Sequence, residues 1–276
     1  MQPVSLTAQW TAAIRALETE MGDDRLFVDD MARSLAVPDG FELLNRYGGG
    51  GVREFVTIRT RFFDDAIKDI LDEDSRISQV VIVAAGMDTR AFRMSWPTNV
   101  SIFEVDHEAL LNEKKSRLAA VDGSSATVRR IEVPADLAGE WTNQLMNAGF
   151  KPNLATLWVV EGLMFFLTEE QVQSLLTKCL SLSTSGSRLV VDMINMSLLK
   201  SPASQLFLAT LRQDGIPWRF GTDEPEAFLF NQGWAVSLIK EPGEVDVGKK
   251  RWPYDVHPRH IKGVSRSWLI VADARC

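Results

Sequence analysis

The stretch from Gln79 to Asp106, QVVIVAAGMDTRAFRMSWPTNVSIFEVD, constrains the fold more than any other part of the chain. Gln79 to Ala84 reads as a buried strand, of the kind expected where helices cover both faces of a parallel sheet. Ala85-Gly86 form a small-residue turn, and Asp88 or Thr89 can begin a short helix. A second strand, Val100 to Val105, ends among acids, Glu104 and Asp106. A tight turn after the first strand lets a ligand approach the backbone, and an acid at the end of the second is placed to hold a ribose diol. This is the layout of a nucleoside-cofactor site.

The rest of the chain repeats the alternation. Strands are predicted at Val128–Val133, Leu154–Val160 and Ser187–Met193. Helices are predicted at His107–Ala120, at Leu137–Ala148, and from a Thr168 cap through Leu182. Trp234–Ile239 and Ser267–Ala272 read as final strands. The fold class is therefore α/β: a doubly wound, Rossmann-like, mostly parallel sheet with an antiparallel final strand. One domain is expected over 1–276, with N-terminal helices and a lid in 1–72, a cofactor-binding core in 79–193, and a substrate-side insertion and loop in 194–266. In the first part, residues 5–20 form a helix that Ser5 or Thr7 can cap, Asp29–Leu35 a second, and Pro38-Asp39-Gly40 a turn. The run Gly48 to Gly51 reads as a hinge; no Gly-Lys-Ser/Thr follows it, as a phosphate loop would require.

Composition removes some classes. Net charge is −7, which argues against nucleic-acid or anionic-membrane partners. The two cysteines, Cys179 and Cys276, give no disulfide framework, and three histidines, His107, His257 and His260, give no metal cluster. No apolar run reaches the length of a membrane span, and the N-terminus lacks a secretory pattern. A soluble cytoplasmic protein with no metal is expected.

The predicted helix Val52–Leu71 carries a broad apolar arc of Val52, Phe55, Val56, Phe62, Phe63, Ala66 and Ile70. Arg59 falls near the middle of that arc, and Arg61 on the opposite side. A guanidinium on a buried face must find an anion. Two partners fit Arg59: a core carboxylate, or the carboxylate of a ligand.

The cofactor follows from the turn. A dinucleotide site wants G-x-G-x-x-G, because its second glycine admits the pyrophosphate. In Ala84-Ala85-Gly86-Met87-Asp88-Thr89 only Gly86 remains, and Asp88 is unwelcoming to phosphate. This disfavours an NAD-dependent oxidoreductase, the first rival reading. S-adenosyl-L-methionine, with an amino group, a carboxylate, a ribose and an adenine, suits an acid near the first turn, an acid after the second strand and a buried arginine.

At these residues the chain resembles the leucine carboxyl methyltransferase-like family of S-adenosylmethionine-dependent O-methyltransferases, whose bacterial members include enzymes of polyketide biosynthesis. The matching pieces are SLTAQWTAAIRALE, IRTRFFDD, QVVIVAAGMDTRAFRM, FEVDHE, VPADL and EGLMFFLTEEQV, in order over most of residues 5–195. The resemblance implies that Arg59 binds the methionine carboxylate and that Gly86 and its neighbours let the backbone approach the methionine moiety. It implies that Asp106 holds the ribose hydroxyls, with Glu104 the competing acid, and that Asp136 and Leu137 flank the adenine. It places Glu161 near the cofactor amino group. Asp88 either faces that amino group or caps the short helix, and Arg90 pairs with an acid. Ala84 stands where the family usually has glycine. The C-terminal third departs from the family pattern, as a substrate-specific region would.

The resemblance implies methylation of a carboxyl group on a small molecule or secondary metabolite, with a phenolic or enolic hydroxyl as the alternative. A carboxylate is already ionised at neutral pH and needs a clamp rather than a base; Arg219, Arg251 and Tyr254 are the candidates. A phenol needs a base, for which His257 and His260 come first. A catalytically silent cofactor-binding protein is the second rival.

Overall fold

The structure, a computed structural model, describes residues 3–121, 124–248 and 250–275. Five parallel strands are β1 (Gln79–Val83), β2 (Ser101–Asp106), β3 (Arg129–Pro134), β4 (Thr156–Val160) and β5 (Arg188–Ile194). They are followed by β6 (Trp234–Lys240) and β7 (Ser267–Ala274). The seven strands are ordered β3-β2-β1-β4-β5-β7-β6. β7 runs antiparallel to both of its neighbours. The order reverses at β1, which pairs with β2 on one side and β4 on the other. A crevice opens at the carboxyl ends of strands where such a reversal occurs.

Period-two alternation assigns the core. Val80, Ile82, Ile102, Leu157 and Val159 belong to one buried cluster. Val81, Val83, Phe103, Val105, Trp158 and Val160 belong to the cluster on the other face. The first face is covered by α3 (Val52–Glu73), reached through α1 (Pro3–Thr19) and α2 (Ala32–Arg46). The remaining helices are α4 (Arg90–Arg93), α5 (Glu108–Leu118), α6 (Trp141–Asn147), α7 (Glu169–Ser181), α8 (Met196–Lys200), α9 (Gln205–Gln213) and α10 (Pro225–Asn231). Thr168 caps α7 through a reciprocal capping box with Gln171. α6 is shorter than predicted, and α8 was not anticipated.

Two expectations in the N-terminal region change. Pro38-Asp39-Gly40 does not end a helix. The chain kinks at Val37 (φ 45, ψ 169) and continues helically through Arg46. Pro38 opens the second segment, where its missing N–H costs nothing. Gly40 lies against α1: a Cβ there would stand 2.5 Å from the Gln9 carbonyl oxygen. Glycine at this site therefore serves close helix packing rather than a turn. Thr7 lies inside α1 rather than at its start, and the Ser5 side chain and Cys276 fall outside the described residues.

α3 is buried on nearly every side, including Ile58 and Arg59. The covering layer is the loop before β7. Gly248 (φ +69) packs so closely that a Cβ would meet Ile58 at 2.5 Å, and Tyr254 packs on Gly51 at the start of α3. Arg251 fastens the same loop to α1 through Glu18 at 2.5 Å. Among the described residues, no helix is long and apolar enough to cross a membrane.

Candidate functional site

A cavity of about 410 Å³ opens at the reversal point. Its walls come from the segments after β1 (Ala84 to Arg90), β2 (Asp106, His107), β3 (Ala135 to Ala138) and β4 (Glu161 to Leu163 and Phe165 to Leu167). α1 contributes Ala8 and Arg15, α3 contributes Phe55 and Arg59, and the segment after α9 contributes Gly215 to Arg219. The topology thus brings together Arg59, Ala84, Gly86, Asp106, Asp136, Leu137 and Glu161 from five separate segments.

Glu104 is not among the lining residues. It is fully buried and held by Lys114 at 2.7 Å and Arg130 at 2.6 Å. The two acids lie two residues apart on one face of β2, so position along the strand separates them. Asp106 stands at the carboxyl end, in the crevice. Its Oδ2 accepts the Gly86 N–H and its Oδ1 the His107 N–H, both at 2.7 Å. Burial raises its pKa, partly offset by these two donors. Each oxygen retains a second lone pair that a hydroxyl could use.

A chain of buried charges runs behind the cavity floor. Glu161 accepts from Arg59 Nε at 3.0 Å through one oxygen and lies 2.7 Å from Arg90 Nη1 through the other. Arg59 also donates to Asp192 at 3.1 Å. Arg90 binds Asp64 at 2.7 Å and Asp88 at 2.5 Å, and Arg93 completes Asp64 at 2.7 Å. Burial would raise the Glu161 pKa, but Arg90 and Arg59 outweigh it and hold the carboxyl below its usual range. For Asp192 burial wins over Arg59 and the Gly162 N–H, and its pKa rises. Asp88 is held down at about 2: burial opposes ionisation, and the charge of Arg90 prevails. Four carboxylates, Asp64, Asp88, Glu161 and Asp192, face three guanidiniums, Arg59, Arg90 and Arg93.

The two readings left open for Asp88 are now separated. Both of its oxygens are taken by Arg90, one by the backbone N–H at 2.7 Å. It therefore closes the turn into α4 rather than offering a free carboxylate. Arg90 is the hub that sequence reasoning missed. Its pairing with an acid was expected, but Asp64 and Glu161, on α3 and after β4, were not legible as partners.

The turns have the shape a nucleoside cofactor requires. Gly86 (φ +49) and Gly162 (φ +70) line the cavity with left-handed backbone. A Cβ on Gly162 would stand 3.0 Å from Arg59 Nη1. Ala84 adopts φ 56, a region in which its Cβ is strained. The cradle and the acid at the end of β2 suit an adenosyl ligand.

Three expected acceptor-side residues fall elsewhere. His257, His260 and Tyr254 are exposed on the loop before β7 and do not line the cavity. That loop is drawn over α3 and away from the strand ends by Gly248 and Arg251. Arg251 is committed to Glu18 and to the Asp24 carbonyl at 2.9 Å. Arg219 does line the cavity, with its backbone N–H on the Phe165 carbonyl at 2.6 Å. His107 is the histidine at the cavity wall.

The family profile described as leucine carboxyl methyltransferase matches residues 8–179. A protein from Frankia alni, named as an S-adenosyl-L-methionine-dependent methyltransferase, is 37% identical over 246 residues, covering 84% of each chain. A protein of the same description from Parafrankia sp. is 38% identical over 198 residues, 68% of this chain and 63% of that one. In fold, the crystal structure of a DUF574 family protein from Streptomyces avermitilis covers 97% of each chain with a TM-score of 0.63 at 14% identity. The NAD-dependent rival is thereby set aside, in agreement with the missing glycines. The chain belongs to the leucine carboxyl methyltransferase family of S-adenosyl-L-methionine-dependent methyltransferases.

Proposed function

We propose that this protein is an O-methyltransferase that esterifies a carboxyl group of a small molecule in cytoplasmic secondary metabolism. The observation that carries the reading is the mixed lining of the cavity. The acids and left-handed turns described above share it with Phe165, Phe166 and Trp218 and with the cation of Arg219, while His257 and His260 lie off it.

In this reading Asp106 would hold the ribose hydroxyls, and Asp136 and Leu137 the adenine. Arg59 and Glu161 would meet the methionine carboxylate and amino group, with Ala84 and Gly86 admitting it to the backbone. α1, which lines the cavity through Ala8 and Arg15, serves as the cover of the cofactor half. The bound cofactor supplies an electrophilic methyl group on a sulfonium. The chain's own residues do the rest. The aromatic wall excludes water from the reacting pair. Arg219 orients an acceptor carboxylate that is already ionised, so no side chain has to take a proton.

A phenol or enol acceptor is the second reading; it must lose a proton, and the histidine that lines the cavity, His107, adjoins the Asp106 that this reading gives to the ribose. The test is turnover with S-adenosylmethionine on a panel of carboxylic acids and phenols, followed by mass spectrometry and by S-adenosylhomocysteine release. Methyl esters without methyl ethers are the expected result. Ethers alone would replace the carboxyl reading with the phenol one. Cofactor binding without any methylated product across the panel would favour the silent rival.

A further inference from the structure

We infer that the substrate end of the cavity is built for a flat aromatic carboxylic acid, stacked on Trp218 and clamped by Arg219; this rests on the carboxyl reading above and names its substrate class. Five arginines line the cavity: Arg15, Arg59, Arg90, Arg93 and Arg219. Four are neutralised by protein carboxylates: Arg15 by Asp29, Arg59 by Glu161 and Asp192, Arg90 by Asp64, Asp88 and Glu161, and Arg93 by Asp64. Arg219 has no carboxylate partner among the described residues, and it lines the cavity as an exposed residue. Its charge is therefore available to an incoming anion.

Its neighbour supplies the second observation. The Trp218 ring lies 4.3 Å from Phe165 and 5.1 Å from Phe207, centroid to centroid. Phe166 closes edge-on at 6.3 Å. The indole N–H of Trp218 is buried and finds no acceptor among the described residues. A buried donor without a partner costs free energy that an acceptor recovers. An arginine without an anion and an indole without an acceptor are thus consecutive in sequence, against a wall of aromatic faces. A flat ring matches the wall by offset or edge-on packing. A carboxylate on that ring matches Arg219 by charge-assisted hydrogen bonds.

The experiment measures binding to the full chain saturated with S-adenosylhomocysteine, by calorimetry, so that no methyl transfer is involved. The probes are 2-naphthoate, its neutral relatives 2-naphthamide and 2-naphthol, and cyclohexanecarboxylate. The expected result is that 2-naphthoate binds about 10- to 100-fold more tightly than either neutral relative. In Arg219→Ala that preference disappears. In Trp218→Leu the preference for naphthoate over cyclohexanecarboxylate disappears, while S-adenosylhomocysteine affinity reports that each variant is folded. Equal binding of naphthoate and naphthamide, a preference that survives Arg219→Ala, or no binding of any probe would overturn the inference. Equal binding of cyclohexanecarboxylate would overturn its aromatic half. The two proposals fail separately. Selective naphthoate binding with no ester formed on adding S-adenosylmethionine leaves the site assignment and removes the carboxyl-methylation reading. Esters formed from aliphatic acids without aromatic preference do the reverse.

Discussion

Arg59 and Glu161 meet at 3.0 Å across 102 residues of chain, and Gly162 lets them do so. A side chain on Gly162 would press on the Arg59 guanidinium, and its φ of +70 is one that L residues rarely adopt. Gly162→Ala is therefore expected to lower stability by about 1–3 kcal/mol and to weaken binding of S-adenosylhomocysteine. Denaturant midpoints and calorimetry check the two effects together.

Arg59→Ala leaves two buried carboxylates, Glu161 and Asp192, short of a counter-charge. Removing one partner of a buried ionic network costs about 3–5 kcal/mol. Adding Asp192→Asn removes one stranded charge and should recover part of that loss without restoring ligand affinity. If the double variant binds the adenosyl ligand as the wild type does, Arg59 acts only through the fold and has no direct hold on the ligand.

Ala84 adopts a left-handed conformation, φ 56, on the cavity wall. Glycine relieves the clash of its Cβ, worth about 1 kcal/mol. Ala84→Gly should raise the melting temperature by about 2–4 °C and keep or improve cofactor affinity. A lowered melting temperature would mean that the methyl group makes packing contacts that outweigh the strain.

Asp106 and Glu104 make a paired test. Asp106→Asn is expected to weaken S-adenosylhomocysteine binding by about 1–3 kcal/mol and to lower stability as well, because its amide nitrogen cannot accept one of the two backbone N–H groups that the carboxylate holds. Glu104→Gln leaves Lys114 buried beside a neutral amide, so its loss should appear in the denaturation midpoint. Reversed outcomes would exchange the roles of the two acids.

The acid limb of stability reports Asp88. Its pKa is lowered in the fold from 3.8 to about 2, as Arg90 overcomes the cost of burial. A lowered carboxyl pKa stabilises the fold above the unfolded value, and that contribution is lost as the pH falls through the folded one. The window runs from about pH 4 to pH 2 and is worth about 2 kcal/mol. Asp106 and Asp192, raised by burial, act with the opposite sign: protonating them as the pH falls favours the folded state. Asp88→Asn should therefore be less stable than wild type at neutral pH and converge with it toward pH 2. A difference that stays constant across the window would mean that Asp88 contributes by shape alone.

What the sequence by itself determined is whatever can be read along one dimension. The alternation of apolar strands with helices specified the doubly wound class. The turn after β1, with one glycine where a dinucleotide needs three, pointed away from a pyrophosphate. The wheel of α3 put Arg59 on a buried face. Tertiary structure decided what depends on which segments become neighbours. Sheet order set β4 beside β1 and β5 beside β4, and so delivered Glu161 and Asp192 to Arg59. Glu104 and Asp106 look alike in sequence, two residues apart on one strand. Only the crevice at the strand ends, and Lys114 beneath it, distinguishes the acid that lines the cavity from the acid that is sealed. The loop before β7 looked like substrate machinery because of its histidines and aromatics. Gly248 against Ile58 and Arg251 on Glu18 instead draw it over α3. Periodicity records how often a face is buried; the partner of a buried charge is chosen by the topology that folds distant segments against it.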